Sequence, residues 1–580
     1  MLARLFCFLL LGMTPSAHAA SGSVTFIHLG DLHGHLIPRP DMRAGSPSHG
    51  KPVGGLANVA ARIKEIRTRV PGALLVNTGD TIQGSAEALY SEGQAMVNLL
   101  NPLKIDAFVA GNWDFVYGPK RFIELFAGAK PKAPWGGIAA NLYYATLYDF
   151  PASPFPRQAG KRVLPPYRLF TVGSVKVAMI GLTADRPPQA VSTHVLDGFT
   201  LTPGSEELAY LVPRLRKQVD VLVLASERGL SGNLELVESV PGIDLVLSSD
   251  MHEETHRVLR AKTGTLLIEE GQDGTMVGEI TLKVTDGRVS GHTHTAHRVV
   301  AGVLPPDTDT QARIDQIRTP FVKGPGFHPH SNPVNGAVLR TPIDTVIGHT
   351  DVALHRSNFA DAKTQPAVIE GSSHNFLADA FRSVCRSDVG VIRGFRYGTH
   401  VAPGPVKLED IYHFMPIGPQ IACGVVRGED IRWAIENSAR GALTHFVDDW
   451  TGGWLFGWSN VSFDLDPYQE FGFMASNIRI NGEPLDPSRE YRLGGYWYVD
   501  NANWINRIPA EKIRVLRAAN GSVIDGTDVV AHYFTTLPGR RFVPTPDRVK
   551  LLRALPKRLG VNPEIQPLRG APRDSLSPAP

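Results

Sequence analysis

Cysteine is nearly absent from this chain of 580 residues, which holds three, at positions 7, 385 and 423. Cys7 lies in a leader-like start, so a mature chain would keep Cys385 and Cys423, enough for at most one bridge. An oxidising compartment permits that bond, and two buried thiols satisfy the sequence equally well. An excess of charge of one sign is also missing: 59 Lys and Arg against 56 Asp and Glu give a net charge of +3. That balance argues against the basic stripe of a nucleic-acid-binding surface, which needs clustered Lys and Arg. No long apolar run follows the first twenty residues, so no later membrane span is expected. Internal repeats are absent as well.

What is present is ordinary globular material, 43% hydrophobic and 20% charged, in a chain long enough for two sizeable cores. The start differs from the rest. Arg4, an apolar run from Leu5 to Met13, and Ala17-His18-Ala19 make the pattern of a secretory signal peptide over residues 1–20. The expected mature protein is periplasmic or secreted, with no membrane anchor after cleavage.

From Val24 to about Val300, short apolar runs alternate with amphipathic stretches. Val24–His28, Ala73–Val76, Val175–Ile180, Val219–Leu224 and Ile243–Leu247 read as buried strands, and Leu56–Val70 reads as a helix with apolar residues three and four apart. This alternation is an α/β signature, and a domain over residues 21–303 is expected. A Pro- and Gly-rich linker at 304–340 holds one helix, roughly Thr308 to Val322. An α+β domain follows at 341–552. A tail at 553–580, rich in Pro, Ser and Arg towards its end, is expected to be mostly disordered.

The predicted strands end in polar clusters: Asp31 and His33, Asp80, Asn112, Glu227, Asp250 and His252. Ligands of open α/β folds bind beyond the carboxyl ends of strands. A lone Asp-x-His is more often a satisfied turn. An ordered series of such ends points instead to one shared site. A carboxylate such as Asp80 can bridge two cations, Asn112 adds a neutral oxygen, and a mixed His, Asp and Asn set suits Mn, Zn or Fe better than Ca.

These segments carry a specific resemblance. Phe26-Ile27-His28-Leu29-Gly30-Asp31-Leu32-His33-Gly34, Gly79-Asp80-Thr81-Ile82-Gln83-Gly84-Ser85, Gly111-Asn112, Ala139-Ala140-Asn141 and Ile180-Gly181-Leu182-Thr183 resemble the 5'-nucleotidase family of calcineurin-like metallophosphoesterases. The resemblance implies a four-layer α/β metallophosphatase domain, a β-sandwich flanked by helices, joined to a C-terminal α+β substrate-binding domain. It implies that Asp31, His33 and His252 hold one metal, that Asp80 bridges, and that Asn112 holds the other.

The departures are informative. Where that family has Asn-His-Glu-Phe-Asp, this chain has Asn112-Trp113-Asp114-Phe115-Val116, which removes the His/Asp dyad that stabilises the transferring phosphoryl group. Two imidazole ligands are replaced by the carboxylates Glu227 and Asp250. Both can still bind metal. They make the site harder and favour Mn, Fe or Mg over Zn. Trp113-Asp114-Phe115-Val116-Tyr117-Gly118 and Gly394-Phe395-Arg396-Tyr397-Gly398 are similar to motifs of a branch of that family, the sulfur-oxidising thiosulfohydrolases, which work without the dyad.

In the C-terminal part, Arg393 and Arg396 lie where nucleotidase relatives keep anion-gripping arginines. Tyr496 and Tyr498 fall near the position of a base-stacking ring, although Ile417 stands where the second ring is sought. The expected activity is metal-assisted hydrolysis with two divalent ions (Mn, Zn, Fe or Mg). Asp80, Asn112 and Arg396 are the expected catalytic groups, and Arg393, Arg396, Trp113, Tyr496 and Tyr498 are expected to contact substrate. The substrate is a small anion, a nucleotide or other phosphoester. The alternatives are a thiosulfohydrolase-like enzyme acting on a sulfur-carrier protein, and a non-catalytic binding protein on the same scaffold.

Overall fold

The computed structural model describes residues 20–43, 46–184, 193–355, 369–393, 400–443, 455–498, 501–554 and 577–578. The expected signal segment and most of the expected disordered tail lie outside these residues, as does Arg396 with the Gly394–Gly398 motif.

Two sheets form the N-terminal part. The first runs in the order Arg288–Arg298, Met276–Thr285, Gly22–Leu29, Leu74–Asn77, Ala107–Phe108. The second is built on Leu266–Glu269, Leu245–Ser248, Val221–Ser226, Val175–Leu182 and Tyr167–Val172, with Leu259–Arg260 beyond its first strand. Strand alternation decides how they pack. Val24, Phe26, Leu74 and Val76 meet Val177, Met179, Val223 and Leu247 between the sheets. Ile27, Leu29 and Leu75 point the other way, onto Ile63, Ile66 and Met96. The second sheet likewise turns Ile180, Leu222 and Leu224 onto Leu208, Leu211 and Leu234. Both faces of each central strand are therefore covered, which is why the strands read as continuous apolar runs. The result is helix, sheet, sheet, helix: the four layers that the resemblance implies.

The helix Leu56–Arg69 buries Leu56, Val59, Ala60, Ile63 and Ile66 along one face and ends in Arg67 and Arg69, which suit the negative end of its dipole. The linker helix spans Thr308–Arg318 and starts at Asp307, whose side chain accepts from the Thr310 N–H. Ile314 of this helix enters the N-terminal core.

The C-terminal part is α+β, as expected. Its five-stranded sheet runs Gly457–Ser459, Val389–Ile392, Glu490–Trp497, Gln420–Arg427, Glu511–Val515. The helix Ser372–Cys385 packs on that sheet through Phe376, Leu377 and Phe381. Cys385 and Cys423 are bonded, with Cα atoms 5.5 Å apart, which settles the alternative that the sequence leaves open.

The two parts share buried contacts. Ala86 and Leu89 enter the C-terminal core, the Tyr90 and Tyr412 hydroxyls are 2.8 Å apart, and Arg39 pairs with Asp410. Arg318 donates to Glu87 Oε1 at 2.5 Å and to Glu409 Oε2 at 2.6 Å, joining a carboxylate from each part.

Candidate metal centre at the strand ends

The parallel strands of both sheets end on the same side, and the loops that leave them are tied together. The N–H groups of Asp31 and His33 donate to the Gly79 and Asp80 carbonyls at 3.0 and 2.8 Å. Asp250 N–H donates to Asp31 Oδ2 at 3.0 Å, and Trp113 N–H to Asp80 Oδ1 at 2.7 Å. Asp31, His33, Asp80, Asp250 and His252 all have positive φ. Non-glycine residues rarely adopt that conformation, and they hold it where a site demands it. Close approach also needs Gly111, where a Cβ would collide with Asp80.

Two groups of buried ligand atoms result. In one, Asp31, His33 and His252 lie within 4.8 Å of one another; in the other, Asp31, Asp80 and Glu227 do so. Asp31 is common to both. Asp80, the residue expected to bridge, brings Oδ2 to 3.7 Å from His33 Nε2 and so also faces both groups. Asn112 Nδ2 is 3.3 Å from Asp250 Oδ1. Neither group includes Asp250. Among the described residues Asp80 Oδ2 and Asn112 Oδ1 are buried acceptors with no hydrogen bond, and the donor set fits divalent cations. Burial, followed by the charges of Asp31, Asp114 and Asp250, pushes the Asp80 carboxyl well above its ordinary range. Carboxylates this crowded stay ionised only beside a countercharge.

A supporting shell was not legible in the sequence. Asp114 accepts from the N–H groups of Gly111, Thr81 and Ile82 at 2.9–3.1 Å and so holds the two loops around Asp80. Glu269 accepts from Ser248 Oγ at 2.7 Å and from Glu253 N–H at 3.0 Å, the two ends of the loop that carries Asp250 and His252. Burial first, then the charge of Asp31, raises its pKa to about 8.

A family profile described as calcineurin-like phosphoesterase matches residues 24–254, and one for the 5'-nucleotidase C-terminal domain matches residues 346–504. The chain belongs to the 5'-nucleotidase family of calcineurin-like metallophosphoesterases. It is therefore a metal-dependent hydrolase by family. Protein UshA of Yersinia enterocolitica is 22% identical over 507 residues, 81% of this chain and 84% of that one. Bovine 5'-nucleotidase is matched over 37% of its length at 24% identity. Among solved structures, the sulfate thiohydrolase SoxB of Thermus thermophilus superposes with a TM-score of 0.75 at 20% identity, over 94% of this chain and 98% of that one. A 5'-nucleotidase precursor of the same species gives 0.73 at 18% identity, over 92% and 100%. Both share the two-domain fold.

Within this 5'-nucleotidase-family scaffold, the segment that usually holds the dyad is rebuilt. Trp113 packs against Ile417 of the C-terminal domain, with Val116 and Tyr498 beside them. The Asp114 carboxylate is taken up by backbone N–H groups. Tyr496 is 2% exposed and packs against Phe381, so it belongs to the core rather than to a clamp. Tyr498, two residues on, packs instead against the Trp113–Ile417 cluster. Arg393 N–H donates to Asn506 Oδ1 at 2.9 Å, and the Arg393 charge acts on Tyr498. Among the described residues no helix is long and apolar enough to cross a membrane.

Proposed function

We propose that the chain is an exported hydrolase that cleaves a small anionic, nucleotide-like phosphoester with two divalent cations. Asp31, His33 and His252 would hold one ion; Asp31, Asp80, Glu227 and Asn112 would hold the other, with Asp250 orienting Asn112. The observation that carries this reading is the pair of buried ligand groups meeting at Asp31. Bound there, such ions supply a nucleophilic water at neutral pH and neutralise charge on the departing group. The oxygen-rich donors favour Mn, Fe or Mg. Trp113, Ile417 and Tyr498 shield the centre from bulk water. Arg393 and Arg396 take the far end of the anion. Export rests on the signal-peptide pattern of residues 1–20, which favours the periplasm or the medium.

The test is elemental analysis of the purified protein, with a phosphomonoester screen of the metal-loaded form. Protein that is metal-free and cannot be loaded with Mn, Fe, Mg or Zn overturns the proposal. A second reading, thiosulfonate hydrolysis on a sulfur-carrier protein, is favoured by one observation: Trp113 stands at the dyad position and forms an apolar wall. Turnover of a thiosulfonate but of no phosphoester would select it.

A further inference from the structure

The antiparallel pair Trp504–Ile505 and Ile508–Pro509 is closed by a two-residue turn, Asn506–Arg507. Both residues have positive φ, 50° and 66°, as a type I′ hairpin requires. Asn suits its place. Arg does not, because glycine is the residue favoured second and a side chain there is strained. A strained residue where an easier one would fit is a reason to look for a function.

Its surroundings supply one. Asn506 N–H donates to the Tyr496 carbonyl at 2.8 Å, which ties the turn to the strand end that carries Tyr498. Asn506 is 5% exposed. Its Oδ1 accepts the Arg393 N–H, while its Nδ2 is a buried donor with no hydrogen-bond partner among the described residues. Arg507, next in the chain, is exposed. Tyr498 packs against the cluster formed by Trp113 and Ile417, and Trp113 N–H reaches Asp80 Oδ1 at 2.7 Å. Asp80, the Trp113–Ile417 cluster with Tyr498, and the turn tied to Tyr496 therefore stand in sequence from the candidate metal centre outward.

We propose that Arg507 and Asn506 Nδ2 extend the Arg393 region into a second anion site, one that receives an acidic group carried at the far end of the substrate from the bond that is cleaved. The inference rests on the hydrolase reading and narrows it: the substrate is an ester with two separated acidic groups. A planar guanidinium fork suits a carboxylate, sulfonate or phosphate alike.

Phenyl phosphate and 4-carboxyphenyl phosphate differ only in a distal carboxylate, so they isolate the effect. For the wild type, KM is expected to be about tenfold lower for the carboxylated ester, the scale of one charged hydrogen bond. Arg507→Gly should remove that preference with kcat unchanged and KM for phenyl phosphate unmoved; Arg507→Lys should restore part of it. Because glycine suits the turn, the Gly variant should unfold at the same temperature or higher. A Gly variant that loses stability, or that moves KM of both esters equally, makes Arg507 structural and overturns the proposal. Calorimetric binding of the two esters to the metal-loaded protein reads the preference whether or not they turn over. Preference without turnover defeats the hydrolase reading alone, turnover without preference defeats the second anion site alone, and neither defeats both.

Discussion

The Nε2 atoms of His33 and His252 lie 3.0 Å apart across 219 residues of sequence, with Asp31 Oδ1 at 3.8 and 3.5 Å from them. Two imidazole nitrogens beside a carboxylate are a donor set that could hold a cation. Because Asp31 also belongs to the second ligand group, Asp31→Asn is expected to empty both sites, taking the metal content from about two equivalents to well under one. Elemental analysis of the dialysed variant checks this. Retention of both ions would refute the shared role of Asp31.

Gly111→Ala touches no ligand directly, yet its methyl group would press on Asp80. We expect metal affinity to fall about 10- to 100-fold, the usual effect of disturbing a ligand's support. Isothermal titration with Mn should show it. An unchanged affinity would mean that the loop yields freely.

Glu269 gives a pH signature in the metal-free protein. Its pKa is raised from 4.5 to about 8 on folding. Between roughly pH 5 and 8 the folded state therefore holds a proton that the unfolded state has released, and stability falls as pH rises, by on the order of 4 kcal/mol for this group. Asp80 acts in the same direction. Denaturant titrations of chelator-treated protein at pH 5 and 8 should show a shallower loss for Glu269→Gln than for the wild type. Identical slopes would assign the pH dependence elsewhere.

The bond between Cys385 and Cys423 closes a loop with a sequence separation of 38. Chain-entropy reasoning gives it about 4 kcal/mol of stability. The double Ser variant should lose about that much in denaturant unfolding while keeping its metal content, since the bond lies in the other domain.

The convergence of these residues was largely legible because they stand at the ends of runs that can only be buried strands, and parallel strands deliver their ends to one place. Asp31, His33, Asp80, Glu227 and His252 all followed from that rule. Tyr496 did not: one ring in an aromatic run looks like another, and only packing against Phe381 shows that it faces the core. Asn506 and Arg507 were invisible for a different reason. Asn-Gly announces a tight hairpin, whereas Asn-Arg does not. Asp114 carried no role in the sequence, and its hydrogen bonds to three backbone N–H groups appear only in three dimensions.

Arg318 is 13% exposed, and its partners Glu87 and Glu409 are 2% and 4% exposed. Arg318→Met would leave two buried carboxylates facing each other, with an expected loss of about 3–5 kcal/mol by denaturant unfolding. A loss near zero would show that water reaches the junction.

This triad also constrains how such proteins can be recombined. One acid comes from each domain, and the base comes from the helix between them. A chimera made by exchanging either domain with a relative inherits an incomplete set unless all three positions travel together. The linker is thus a poor place to cut, however much its prolines and glycines suggest a seam.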